Sequence, residues 1–496
     1  MDPYYSAFYS ILQTQNILMM LLGVLIGMIV GILPGVGATQ AMVLMIPFTW
    51  KMDVIPAFVL LTAIYATSTF GGSLTAILFN IPGDNPNAVT LIDGYPLAKK
   101  GKARTAIAAS GAVSILGGIF SSVTLLLFLP IMYQVILLFG PAEFFMLALF
   151  GLSAISAVSA KSIHKGLLTG AIGILVATIG YHSLVGRSRF TFGTTYLQAG
   201  INMVPVMLGL LGVSESIAVL MEGSSIVKKG IPVTGSIIEG LTAVLRNIPL
   251  VVRSCLIAWV IGVAPAAGST VAGFISYASA TKTCKNPESF GKGDIRGIIA
   301  GDTALHACAG GDLLPTVTLG IPGSSGMAVL LGAFALHGIS PGPQIVKFHQ
   351  DLIYVIAYTI ITGHVVSIVS TVMFSPLVEK LTKLRAEILS PIIIVLCLVA
   401  SYNVREYWQD MLVVTLFGIL GYYMRKYGYH PVPLVLGIIL GPVAEDGFFE
   451  ALSFSKNGVW TFFTRIPSLI IFLCILVVIF WPYIQRFYRA SAPSSK

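Results

Sequence analysis

Residues 310–326 read GGDLLPTVTLGIPGSSG, and residues 71–83 read GGSLTAILFNIPG. Each stretch opens on paired glycines and closes on Ile-Pro-Gly. Pro82 and Pro322 lack an amide N–H and the flanking glycines loosen the backbone, so neither stretch is expected to cross a bilayer as one plain helix. Hydrophobic segments interrupted at matching places in two halves of a membrane chain point to a transport site. The two stretches are therefore the expected centre of the molecule.

Composition sets the class. Of 496 residues, 56% are hydrophobic and 10% charged, whereas soluble domains are near a quarter charged. Apolar runs recur from Asn16 to Tyr483 with short gaps between them. The expected fold is all-α and polytopic, with roughly ten to fourteen crossings including broken helices or re-entrant hairpins. No Lys or Arg precedes Lys51, so the basic start of a cleavable signal peptide is missing and the first apolar segment is expected to be retained. The net charge of +9 resides in short loops, where bases orient a membrane chain, and does not point to nucleic acid. The five cysteines form no CxxC pair, so no metal site or disulfide framework is indicated.

The sequence then repeats itself. Gly31, Pro34, Gly37 and Thr39 are answered in order by Gly262, Pro265, Gly268 and Thr270. Gly180-Tyr181-His182 is answered by Gly428-Tyr429-His430, and Glu215 by Glu445; the last pair lies near span ends, which suggests interface anchoring. The expected organisation is a leader (1–15), a first transmembrane repeat (16–221), a polar connector (222–246), a second repeat (247–450) and a terminal helix with its tail (451–496). Lys99, Lys100, Lys102 and Arg104 follow the Ile-Pro-Gly break in the first half, whereas Lys282, Lys285, Lys292 and Arg296 follow the Pro-Ala break in the second. Under the positive-inside rule equivalent loops lie on opposite sides, so the repeats are expected to be inverted, as alternating access requires.

GILPGVGAT, GGSLTAILFNIPG and DGYPLAKKGKA, followed by GVAPAAGSTVAGFISY, FGKGDIRG and GGDLLPTVTLGIPGSSGMAVLLGAFALHGISPGP, resemble the large membrane subunit of the tripartite tricarboxylate transporters, the TctA family. The resemblance covers nearly the whole chain. It implies a secondary transporter of small organic acids in a prokaryotic cytoplasmic membrane, driven by a proton or sodium gradient and using no other cofactor. It also implies two partners, a small TctB-like membrane subunit and an extracytoplasmic TctC-like solute-binding protein. The chain departs from the family pattern at Asp84-Asn85, where a small residue and Thr are usual, and at Asp312, where a small residue is common. Two added carboxylates beside an expected anion site put a tricarboxylate in question. A self-sufficient carboxylate carrier or exporter is the alternative.

The physical case for a site does not need the family. A half-helix N-terminus offers free N–H groups and a positive dipole end to a carboxylate, and unwound carbonyls suit a small cation. Pro34, Gly35, Gly37, Thr39, Asn80, Pro82, Gly83, Asp84 and Asn85 in the first half are candidate substrate contacts. Gly268, Ser269, Thr270, Pro322, Gly323, Ser324 and Ser325 are their counterparts in the second. A side chain placed at Gly83 or Gly323 is expected to fill space that a ligand needs. Small and hydroxyl residues in membrane helices more often serve packing, but irregular backbone at membrane depth survives only when buried in protein or lining a cavity.

Asp302, Asp312 and His306, with the paired glycines Gly71, Gly72, Gly310 and Gly311, are candidates for a coupling ion. An intramembrane carboxylate is costly and hence functional by default; the competing reading has Asp302 held by N–H donors or by His306. Gly323-Ser324-Ser325-Gly326 also fits the GxSG pattern of intramembrane serine proteases, with His337 or His364 as base. The first half has no serine at the matching place, which makes an enzyme a remote reading.

Overall fold

The computed structural model describes the chain except residues 1–2, 34–36, 137, 160–162, 183–185, 223–232, 265–267, 341, 374–385, 456–457 and 492–496. The described residues are overwhelmingly helical, with one short antiparallel pair, β1 (Gly180–His182) and β2 (Arg187–Arg189). The first half contains α1 (Pro3–Ile11), α2 (Thr14–Ile32), α3 (Ala38–Thr49), α4 (Val54–Phe79), α5 (Ala88–Leu97), α6 (Ala103–Ile136), α7 (Pro141–Ser159) and α8 (Ile163–Ala177). After the β pair come α9 (Thr195–Gln198), α10 (Met203–Met207) and α11 (Ser214–Glu222). The second half contains α12 (Ile237–Arg246), α13 (Ile248–Val263), α14 (Gly268–Thr283), α15 (Ile295–Leu319), α16 (Ser325–Leu336), α17 (Pro343–Phe348) and α18 (Gln350–Met373). It continues with α19 (Ala386–Arg405), α20 (Trp408–Lys426) and α21 (Val432–Phe454); α22 (Thr461–Thr464) and α23 (Ile466–Ser491) follow.

The chain is an all-α polytopic membrane protein. Among the described residues six helices are long and apolar enough to span a bilayer, eight if each of two bent pairs is one span, and five shorter apolar helices accompany them. The gap from the expected ten to fourteen arises because breaks divide apolar runs into pieces such as α3 and α16, too short to cross alone. Val252, Leu256 and Val260 on one face of α13 are exposed, as are Leu469, Leu473 and Val477 on α23. Such faces suit lipid, because among the described residues nothing covers them.

Two contacts fix the direction of α4 against α15. Near the start of α4, Phe58 stacks on Phe334 at 4.4 Å between centroids, and just before it the Thr49 carbonyl lies 3.1 Å from His337 Nε2 at the end of α16. At the other end of α4, Ile77, Leu78 and Phe79 pack with Leu97, Ala103 and Ile298. The start of α4 thus meets the end of α16, and its end meets the start of α15, so α4 and α15 run in opposite directions. The basic loops expected on one side are joined there. Asp93 Oδ1 accepts the N–H groups of Gly293 and Asp294, each at 2.8 Å, and Lys102 Nζ pairs with Glu239 at 2.5 Å.

Packing between the halves is crossed. Helix α6 packs on α15 while α18 packs on α4; α12 packs on α6 while α1 packs on α18. The acids expected to anchor interfaces follow the same rule. Glu445 in α21 pairs with Arg189 at 2.5 Å, and Glu215 in α11 pairs with Arg425 in α20, so each acid is held by an arginine of the opposite half.

Candidate functional site

The Ile-Pro-Gly breaks form the first elements of the site. Helix α4 ends at Phe79 because Asn80 takes a left-handed conformation (φ 59°), and α15 ends at Leu319 because Gly320 does the same (φ 69°). The chain then doubles back along the helix it has left. A Cβ on Gly83 would lie 2.1 Å from the Gly31 carbonyl O and 2.4 Å from Gly72 Cα. One on Gly323 would lie 2.7 Å from Asp312 Cα. Only glycine allows so close an approach of two backbones. Each break returns toward the middle of a helix before the next helix, α5 or α16, leads out again, which is a re-entrant hairpin.

Paired glycines do not unwind the helices as the sequence suggested. α4 is continuous through Gly71 and Gly72, and α15 through Gly310, Gly311 and Pro315. Their carbonyls lie within continuous helix, and the missing side chains serve packing. A Cβ on Gly71 would meet Gly31, one on Gly311 would meet Gly262, one on Gly310 would meet the Ser121 carbonyl, and one on Gly72 would meet Asn87.

At the site two hydroxyls meet across the halves. Thr39 Oγ1 in the first turn of α3 lies 3.3 Å from Ser325 Oγ in the first turn of α16. Beside them is a cavity of about 310 Å³ to which the first half contributes Thr39, Asp84 and Asn85, and the second half Gly268, Ser269, Thr270, Ser324 and Ser325. His306, His364, His430, Tyr65 and Thr69 complete its polar lining. An adjoining hollow of about 330 Å³ shares Thr39, Asp84, Asn85 and Ser325, adds Pro82 and Gly83, and reaches the Glu215–Arg425 pair. Of the remaining sequence candidates, Asn80 and Gly37 are cap positions, Gly323 is packed on Asp312, and Pro322 lines neither hollow. Pro34 and Gly35 lie outside the described residues.

Buried acids sort by their partners. Glu143 pairs with Arg465 and Asp410 with Arg405, each at 2.7 Å; Asp93 has the two amides named above. Asp302 and Asp312 are each 0% exposed, and among the described residues neither has a basic partner. Asp302 accepts the hydroxyls of Thr90 (2.5 Å) and Ser110 rather than N–H groups or His306. It lies behind the cavity and does not line it. Asp312 accepts the Tyr65 hydroxyl at 3.4 Å, which places it one side chain behind the cavity wall. His306 lies on the wall, with Nε2 2.7 Å from Ser114 Oγ and its ring edge-on to His364 at 4.8 Å.

The family model described as "Tripartite tricarboxylate transporter TctA family" matches residues 17–436. The chain belongs to this family. It is 32% identical over 458 residues, 92% of this chain and 91% of the other, to an uncharacterized 52.8 kDa protein in the TAR-I ttuC' 3' region of Agrobacterium vitis. A second Agrobacterium vitis relative, an uncharacterized protein in the TAR-II ttuC' 3' region, is 32% identical over 205 residues, 41% of this chain and 85% of its own length. No solved structure matches the chain.

In this TctA-family chain, sequence reading passed over several cavity residues, Tyr65, Thr69, His364 and His430 among the polar ones. Tyr65 precedes Gly71 by less than two helical turns, so its place on α4 was open to inspection, but no motif marked it. His430 stood out as a repeat marker only, and His364 as a protease base only. Leu305 lies beside His306 on the wall. Ser325, the serine of the protease pattern, has Thr39 as its hydroxyl partner, and both ring nitrogens of His337 face carbonyls, Ala333 at 3.0 Å and Thr49 at 3.1 Å.

Proposed function

We propose that the chain is the membrane-translocating subunit of a tripartite uptake system for small organic acids. The observation that carries this reading is the convergence of both re-entrant hairpins on one polar cavity between the halves. The first turns of α3, α14 and α16 face that cavity, so N–H dipoles and the hydroxyls of Thr39, Ser269, Thr270, Ser324 and Ser325 surround it. Among the described residues no Lys or Arg lines it. An anion would be held by neutral donors, which bind without the strong, slow-releasing grip of a permanent countercharge.

Transport proceeds by alternating access, the two inverted halves rocking about the cavity. The face carrying Lys99, Lys102 and Lys292 is cytoplasmic, because bases accumulate on that side of a bacterial inner membrane. Energy comes from a proton or sodium gradient. Asp302 and Asp312 are the candidate acceptors, since a carboxylate at membrane depth without a basic partner must be protonated or cation-bound. A small membrane subunit and an extracytoplasmic binding protein deliver the ligand. The test is uptake of labelled organic acids into vesicles holding the chain and both partners. Accumulation that needs an imposed sodium or proton gradient supports the proposal; equal uptake in vesicles without the chain refutes it.

A further inference from the structure

The two halves present matching positions that differ by one acid. Gly37 precedes the first turn of α3 as Gly268 opens α14, and Asp84 follows the first Ile-Pro-Gly as Ser324 follows the second. In the first half the space above Gly37 is filled by a carboxylate: a Cβ there would lie 2.2 Å from Asp84 Oδ2. That carboxylate accepts the N–H of Ala38 in the first turn of α3 at 3.3 Å, and its other oxygen accepts the N–H of Asn85 at 2.7 Å. In the second half a Cβ on Gly268 would find Ser324 Cβ at 3.7 Å and no carboxylate. Among the described residues no side chain caps the first turn of α14, and this turn opens into the 310 Å³ cavity. His364, 1% exposed, lines the same cavity.

We infer that Asp84 is a specificity residue: it occupies the first half's anion position with the chain's own carboxylate, leaving the second half's position for the single carboxylate of a monocarboxylate ligand. This rests on the organic-acid reading above and narrows it. A second ligand carboxylate would meet a filled position and a like charge. Ser324, with a hydroxyl in place of the acid, leaves the matching position free.

The test uses one carbon skeleton carrying one, two or three carboxylates: butanoate, glutarate and tricarballylate, titrated against the purified chain with thermal stabilisation as readout. The wild type should bind butanoate at least about tenfold more tightly than tricarballylate, the worth of one charge-assisted hydrogen bond lost. Asp84→Ser should narrow or invert that ratio by about tenfold, and Ser324→Asp should abolish the butanoate response. Asp84→Asn, which keeps the shape and removes the charge, should raise glutarate affinity, and serves where the serine variant fails to fold. A wild type that binds tricarballylate most tightly overturns the inference, as does a butanoate-to-tricarballylate ratio unchanged in both Asp84 variants. If none of the three acids stabilises the wild type, the organic-acid reading itself fails.

Discussion

Thr39 and Ser325, 286 positions apart in sequence, bring their hydroxyl oxygens to 3.3 Å across the junction of the two halves. Each stands in the first turn of a helix that begins at a break, and each lines both hollows. Separating the halves along this line must part the two hydroxyls.

The opposed directions of α4 and α15 predict which loops share a side. With the exposed Cys474 removed, single cysteines introduced at Gly101 and Pro287 should react with an impermeant thiol reagent from the cytoplasmic side. Those introduced at Met52 and Gln344 should react from the other. Labelling of positions 52 and 101 from one side would contradict the inverted arrangement.

Substitution at Gly83 was expected to block ligand approach; the backbone contacts make it a defect of the fold. Gly83→Ala and Gly323→Ala should each lower stability by about 1–3 kcal/mol through overpacking. Gly363→Ala, where the nearest atom to a Cβ is Thr67 Cγ2 at 3.7 Å, should not. Unfolding midpoints in detergent compare the three; equal midpoints for Gly83→Ala and Gly363→Ala would show that the hairpin is looser than described.

Asp302→Asn keeps the shape of the side chain between Thr90 and Ser110 and removes its ionisable oxygen. Gradient-driven accumulation should fail while exchange of ligand down its own gradient continues. Undiminished accumulation in reconstituted vesicles would take Asp302 out of coupling.

Outside the membrane, Asp294 caps α15 and accepts both the Arg296 guanidinium and the Ser289 hydroxyl at 2.5 Å. Burial pushes its carboxyl up, but the hydrogen bonds from Arg296 and Ser289 outweigh this and hold it below the usual range. A depressed pKa contributes stability above the unfolded value of about 3.9 that is lost as pH falls through the folded one. The wild type should therefore lose more thermal stability than Asp294→Asn between about pH 5 and pH 3. Parallel curves for the two would show that the cap contributes nothing to the acid response.

Much of this was legible in the sequence because the repeat carries it. Two Ile-Pro-Gly stretches gave the re-entrant hairpins, and matching helix starts placed Thr39, Asp84, Asn85, Ser269, Thr270, Ser324 and Ser325 on shared hollows. The paired glycines misled, since a glycine inside a helix can mark a neighbour's close approach as readily as an unwound turn. Whether Asp302 faces the cavity or lies behind it depends on its rotation about α15, which period alone does not fix when every face of a helix is buried. Tyr65 and His364 belong to the site through tertiary packing, with no local pattern to announce them.

The most direct measurement joins Thr39→Cys to Ser325→Cys in a chain free of other exposed cysteines and follows uptake into vesicles before and after cross-linking by oxidation or a short bifunctional thiol reagent. If the halves must separate here for ligand to pass, cross-linking abolishes uptake and reduction restores it. Full uptake by a cross-linked chain would show that the ligand takes another path.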